Sequence, residues 1–213
     1  MKYKLVIFDL DGTLLETGHD LASAVNRALF YNGLPEITEQ KVFEYIGNGS
    51  LKLIERAVGG AEADIDKVHS DYKRFYMEVC TDTTVPFPGI VELLKALRRS
   101  GVKIAVNTNK PEPAALKVLD HCLPGLLDLI VAQSDTIPRK PDPTGALKAI
   151  GYFGYKPEEC CYVGDSDVDI NTARNAEIDC ISVDWGFKTR GFLLEHGATH
   201  ICSDRNSLLG MII

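Results

Sequence analysis

The chain has 213 residues, of which 45% are hydrophobic and 25% charged, and it carries a formal net charge of -7. This balance belongs to a globular protein with a sizeable interior and excludes a disordered or membrane-spanning chain. The excess of acid, with no Lys/Arg cluster to offset it, also excludes nucleic acid as a partner.

The six cysteines, Cys80, Cys122, Cys160, Cys161, Cys180 and Cys202, show no C-x-x-C spacing, so buried, reduced thiols are expected. Cys160 and Cys161 would point to opposite faces of a strand. Met1 to Lys4 lead directly into an apolar run, which leaves no room for a cleaved leader and implies a cytoplasmic location.

That run, Leu5-Val6-Ile7-Phe8, reads as a strand, and Asp9, Asp11, Gly12 and Thr13 follow it within five positions. Side chains alternate along a strand, so both acids can aim at one side of the sheet edge while Leu10 turns inward. Open parallel sheets place their sites at the carboxyl ends of strands. Two close carboxylates there repel unless a cation or a proton intervenes. A hard divalent cation such as Mg2+ takes oxygen ligands of this kind. Asp-Gly-Thr also fits a turn or a helix N-cap, so this stretch by itself leaves both readings open.

From Leu15 to Val85 the pattern is helical. Leu21, Ala24, Val25, Ala28 and Leu29 recur at helical spacing before Gly33, and a second helix is expected from Thr38 to near Gly47. Gly47-Asn48-Gly49-Ser50 reads as a turn, after which Leu51, Ile54 and Val58 restart an apolar face. The stripe Ile65, Val68, Tyr72, Phe75, Tyr76 and Val79 predicts a longer helix whose aromatics serve packing. Pro86-Phe87-Pro88-Gly89 ends the block.

Beyond it, helices and strands alternate: helix Ile90–Arg99, strand Val102–Val106, helix Ala114–Leu119 and strand Leu129–Ala132. Helix Leu147–Phe153, strand Cys161–Val163, helix Ile170–Ala176 and strand Cys180–Val183 continue the pattern. Alternation of this kind predicts an α/β fold, a Rossmann-like parallel sheet with helices on both faces. The helical block is then an insertion. A catalytic core of residues 1–14 and 86–213 would carry a helical cap of residues 15–85.

Three further stretches each follow a strand. Asn107-Thr108-Asn109-Lys110 offers hydroxyl and amide groups to a phosphoryl group, although a polar turn before Pro111 is the simpler reading of that segment. In Arg139-Lys140-Pro141-Asp142-Pro143 the prolines stiffen the backbone around a lysine, and a fixed cation suits a transferring phosphate. Gly164-Asp165-Ser166-Asp167-Val168-Asp169 places three acids after a buried strand. Asp165 would meet Asp9 and Asp11 if the two strands were neighbours, completing an oxygen-rich cation site, with Asp169 one helical turn on. A calcium loop is excluded because the required glycine and terminal Glu are missing.

In the order D-x-D-G-T, hydrophobic-T-N, K-P-x-P and G-D-S-x-x-D, the chain resembles the haloacid dehalogenase superfamily of aspartyl-phosphate phosphatases, along its whole length. A closer likeness, to the phosphoglycolate phosphatase branch, rests on Phe8 to Leu15, Asp20 to Asn26, Ile46 to Gly49, Glu55-Arg56-Ala57, Pro88-Gly89, Asn107 to Pro111, Lys140 to Pro143 and Trp185-Gly186-Phe187. The resemblance implies Asp9 as nucleophile and Asp11 as general acid and base, with Thr108, Asn109 and Lys140 on the phosphate. It implies Mg2+ held by Asp9, the Asp11 backbone carbonyl and Asp165, supported by Asp169.

In the cap, Gly47, Asn48 and Gly49, with Lys52 or Arg56, would read the substrate's carboxylate. The expected substrate is a small phosphorylated metabolite, 2-phosphoglycolate first, with pyrophosphate, sugar phosphates or nucleotides as the alternative. The protein would be a monomer or homodimer. Two positions depart from the family: Glu16, where an Asp is common, and Glu177, near which a Gly is common. The histidine of the sugar-phosphate mutases is absent at Leu21, and Asp11 argues against dehalogenation. A receiver-like phospho-acceptor domain shares the acids, hydroxyl and lysine, but has neither the insertion nor a use for a second acid.

Overall fold

The computed structural model describes residues 2–213. The chain begins with strand β1 (Leu5–Phe8) and the two-residue β2 (Leu15–Glu16). Four helices follow, α1 (Gly18–Tyr31), α2 (Glu39–Tyr45), α3 (Ser50–Val58) and α4 (Ile65–Val79), and then β3 (Val85–Pro86). Antiparallel β2 and β3 pair Leu15 with Pro86 and Glu16 with Val85, so the helical block leaves and re-enters at one narrow ribbon. The remainder is α5 (Ile90–Arg99), β4 (Lys103–Pro111), α6 (Glu112–Cys122), β5 (Leu129–Gln133), α7 (Thr144–Phe153), β6 (Cys160–Gly164), α8 (Asp167–Asn175), β7 (Asp179–Val183), α9 (Arg190–Glu195), β8 (Ile201–Cys202) and α10 (Arg205–Ile212).

The main sheet is six-stranded in the order β5-β4-β1-β6-β7-β8, and every pairing in it is parallel. From β1 the chain fills one side of the sheet with β4 and β5, then returns to the other side for β6, β7 and β8. The reversal falls at β1, which makes its carboxyl end the crevice where open parallel sheets bind ligands.

Alternation assigns the two faces. Val6, Phe8, Ile104, Val106, Cys161 and Val163 share one apolar core with α5, α6, α10 and the helical block. Leu5, Ile7, Ala105, Cys160 and Tyr162 face α7 and α8. Cys160 and Cys161 therefore part as a strand requires, and all six thiols are free.

Several boundaries differ from the sequence expectation. β4 runs on through the polar stretch to Pro111, because Thr108 and Pro111 still pair with Ala132 and Gln133 across a register shift. Helix α8 starts at Asp167, before its apolar residues begin. Ser166 caps it, with its N–H and hydroxyl both donating to the Asp169 carboxylate, and a polar first turn offers no apolar period to read. Strand β8 is too short to show alternation. Glu177 has φ 56, a left-handed backbone that explains why glycine is common at this point in the family that the sequence resembles.

One buried carboxylate ties the base of the helical block to the ribbon. Asp20, 2% exposed, accepts from the backbone N–H of Thr83 and Thr84 and from both their hydroxyls. Removing it strands backbone donors away from water. Asp20→Ala should therefore destabilise the fold by about 3 kcal/mol, measured as a lower urea midpoint with an unchanged slope.

Candidate active site

Register brings the motifs level. Phe8 pairs with Val106 on one side and with Val163 on the other, so Asp9, Asn107 and Gly164 stand level across the three strands. Thr108 and Asp165 stand one residue further on. Gly12 makes the sharp exit with φ 83, and a Cβ there would lie 2.5 Å from an Asp165 carboxylate oxygen, so only glycine lets the first loop pack against that acid.

Lys140, on the loop after β5, reaches back to this edge. Its ammonium lies 2.7 Å from Asp9 Oδ1 and 2.7 Å from Asp169 Oδ1, and its side chain is 2% exposed. Asp165 is held by the Thr13 hydroxyl at 3.0 Å and the Phe187 N–H at 2.8 Å. Oxygen atoms of Asp9, Asp165 and Asp169 lie within 4.8 Å of one another, all three residues buried.

Three carboxylates thus share one ammonium. Burial, with Asp169 close by, raises the pKa of Asp9 to about 8 against an opposing pull from Lys140. Burial and Asp169 likewise raise Asp165 to about 7. Burial alone would lower the pKa of Lys140, but Asp169 and Asp9 together raise it well above the usual lysine value. The cluster is short of positive charge and offers only hard oxygen donors, so its chemistry fits a divalent cation such as Mg2+.

Asp11 belongs to a separate, adjacent pair. It accepts from the Thr17 hydroxyl at 2.7 Å and lies 2.7 Å from the ammonium of Lys110, whose side chain is 2% exposed. Lys110 also donates to the Tyr76 hydroxyl at 2.8 Å, which links α4 of the helical block to the acid. Thr108 Oγ accepts the Lys110 N–H at 3.1 Å, leaving the hydroxyl proton free for a ligand. Asn109 lines the cavity above these groups, and its amide donates to the carbonyls of Gly47 and Lys140 and accepts the Lys140 N–H, so it also clamps two loops.

The cavity has a volume of about 190 Å3 and is lined by Asp9, Asp11, Thr108, Lys110 and Asp165 and roofed by α3 and α4. Gly47 and Gly49 line it. Asn48 and Lys52 do not. The Lys52 ammonium pairs with Glu55 at 2.5 Å on the exposed side of α3, and Arg56 donates to the Tyr45 carbonyl. Two other cations stand near the Gly47 turn: the Arg139 side chain lies against Gly49, and Lys188 lines the cavity and donates to the Glu44 carbonyl at 2.8 Å.

Tyr72 and Tyr76, expected as packing residues, are buried as foreseen yet also form cavity wall. Sequence reasoning quoted Lys110 in its motif but gave it no role, and missed Thr17 and Lys188. The signal for Lys110 was its position two residues beyond Thr108, on the same extended stretch.

A fold of this topology with acids, a hydroxyl and a lysine at four strand ends defines a hydrolase class. The haloacid dehalogenase-like hydrolase model matches residues 6–183, and the chain belongs to that family. Phosphoglycolate phosphatase 1 of Pseudomonas aeruginosa is 34% identical over 214 residues, covering 97% of this chain and 78% of the relative. The phosphoglycolate phosphatase of Aquifex aeolicus is 35% identical over 189 residues, covering 86% of each. The crystal structure of a proposed phosphoglycolate phosphatase from Lactobacillus delbrueckii subsp. bulgaricus is 35% identical, with a TM-score of 0.96 over 100% of this chain and 99% of that one. With these relatives, the chain is a phosphatase. No helix among the described residues is long and apolar enough to cross a membrane.

The raised carboxyls make stability depend on pH. Without metal, the folded state keeps protons on Asp9 and Asp165 that the unfolded chain releases above the ordinary value of 3.8. That contribution is complete below this value and is lost as pH rises through about 7 to 8. Thermal melts in chelator should therefore show Tm falling between about pH 5 and pH 8. Added Mg2+ should raise Tm more at the upper end, because cation and protons compete for the same oxygens. A chelated Tm that is flat across this range would contradict the charge imbalance.

Proposed function

We propose that the enzyme is a Mg2+-dependent phosphomonoester hydrolase that works through a phosphorylated Asp9, with 2-phosphoglycolate as its substrate. One observation carries the chemistry: two carboxylates on one loop, Asp9 and Asp11, each face a different buried lysine. This separation supports Asp9 among the cation ligands as nucleophile and Asp11 beside them as proton carrier.

In this reading Asp9, Asp165 and the Asp11 carbonyl, supported by Asp169, would hold Mg2+, which would supply positive charge to the phosphoryl oxygens. The Asp9 carboxylate attacks phosphorus in line, so a bond from Oδ to phosphorus forms as the bond to the ester oxygen breaks. Lys140 and the Thr108 hydroxyl steady the transferring oxygens. Asp11 gives its proton to the departing alkoxide. It then takes one from the water that cleaves the acyl phosphate, which frees Asp9 and inorganic phosphate.

Residues 15–85 act as a cap on a core of residues 1–14 and 86–213, and the cap shields the first step from water. The glycolate carboxylate lies at the Gly47 to Ser50 turn, where open N–H groups at the start of α3 favour an anion, with Lys188 beside it. The names of the relatives support this substrate. A receiver-like acceptor is disfavoured, since the cavity is roofed by helices that such a module does not have and contains the second acid.

Asp9→Asn should lower turnover on the order of a thousandfold or more. Asp11→Asn should slow phosphorylation by an alkyl phosphate more than by an activated aryl phosphate in rapid-quench experiments, and equal losses would remove Asp11 from the acid role. Chelation should stop turnover.

For the substrate, 2-phosphoglycolate should exceed ethyl phosphate by at least about tenfold in kcat/KM, the worth of one charge-assisted hydrogen bond. Lys188→Met should erase most of that preference while sparing an aryl phosphate. Pyrophosphate or a sugar phosphate ahead of 2-phosphoglycolate would replace the substrate and leave the phosphatase intact.

A further inference from the structure

The cavity is more than a seat for a phosphate and a small acid. Besides Asp9 and Asp11 it is lined, under the helical block, by Leu21, Leu53, Tyr72, Tyr76, Met77 and Ala114. These come from α1, α3, α4 and α6, so both the block and the core contribute. All but Met77 are buried, Leu53 and Tyr72 to 3% exposure. Most of the accessible wall is carbon. Of the polar side chains beside these residues, the Tyr76 hydroxyl accepts from Lys110 and Lys110 spans to Asp11, while Lys73, one turn before Met77 on α4, also lines the cavity. Tyr72 and Tyr76 lie nearly parallel at an interplanar angle of 7° and present ring surface.

A carboxylate pressed against such a wall would lose its water and gain no partner. The glycolate carboxylate is therefore served by the Gly47 turn and the cavity's cations, Lys188 and Lys73, which leaves the carbon wall uncovered. At about 190 Å3 the whole space is larger than the apolar cavity of about 150 Å3 that holds benzene in a protein interior.

We infer that this wall forms a leaving-group subsite for an apolar alcohol, and that the enzyme's substrates include phosphate monoesters with a short alkyl chain or a single ring. The inference rests on the phosphatase reading and widens it beyond 2-phosphoglycolate. The phosphoryl group occupies the polar end in every case. The alcohol's carbon chain displaces water from the wall, and the same apolar contacts are kept as the ester oxygen takes its proton from Asp11. Hydrolysis balances as for any monoester: water in, alcohol and inorganic phosphate out.

The test uses methyl, ethyl, propyl, butyl and 2-phenylethyl phosphates, whose leaving alcohols have similar acidity, so that differences report binding and not chemistry. In the intact protein with Mg2+, kcat/KM should rise about threefold per added methylene from ethyl to butyl, the transfer free energy of a largely buried CH2. Met77→Glu, which puts charge on the wall, should flatten the series. Calorimetry with the matching alkyl phosphonates, which are not hydrolysed, should show the same slope at one equivalent displaced by inorganic phosphate. Phosphonate binding that strengthens with chain length, without ester turnover, would keep the subsite and overturn the catalytic reading. Hydrolysis or binding that stays flat or weakens with chain length would overturn the subsite.

Discussion

Three buried carboxylates around one ammonium constrain everything near them. Lys140 touches Asp9 and Asp169, while Asp165 is held by Thr13 and by the Phe187 N–H. None of these groups has water enough to relax, and breaking a buried pair of this kind is far more costly than never forming one. The surrounding loops are therefore specified closely. Gly12 must be glycine because Asp165 fills the space beside it, and Gly186 faces the Gly12 carbonyl and the same acid with no room for a Cβ. The resulting excess of negative charge suits a hard cation.

The helical block completes the site by direct contact. The Asn109 amide holds the Gly47 carbonyl, Lys110 reaches the Tyr76 hydroxyl, and Lys188 reaches the Glu44 carbonyl. Each bond joins a cavity-lining residue of the core to a different part of the block, the loop before α3, α4 and the last turn of α2. The block and one sheet face also share a continuous apolar core. Its two chain connections meet at the β2–β3 ribbon, with Asp20 fastening α1 to residues just before β3.

Asp11 shows how position separates two acids that are nearly adjacent in sequence. Asp9 is packed beside Asp169 and Lys140, whereas Asp11 turns to Thr17 and Lys110. The second lysine and the first threonine of the helical connection give this acid its own setting. The same ammonium that positions it is bonded to Tyr76, so the geometry of the acid and the placement of α4 are linked through one side chain.

Much of this was legible in the sequence because it depends on short-range pattern. Alternating apolar runs and helical stripes gave the α/β class and the helical insertion. Acids, hydroxyl and lysine just after strands marked Asp9, Asp11, Thr108, Lys140 and Asp165 as residues of one edge, and the central position of β1 between β4 and β6 then brought them together. What the sequence by itself could not determine depends on which way a side chain turns once distant elements pack. Lys52 and Lys188 are both surface-type lysines in sequence, yet Lys52 lies on the exposed side of α3 with Glu55, while Lys188 is carried into the cavity by the loop after β7. The Asn109 amide is claimed by two backbone carbonyls from separate loops, a clamp that no short-range pattern announces. Tyr72 and Tyr76 fit a packing stripe, and only the approach of α4 to β4 and α6 turned part of that stripe into cavity wall. Periodicity records which face of an element is apolar; the tertiary structure alone decides whether that face meets a neighbouring helix or the space where a substrate binds.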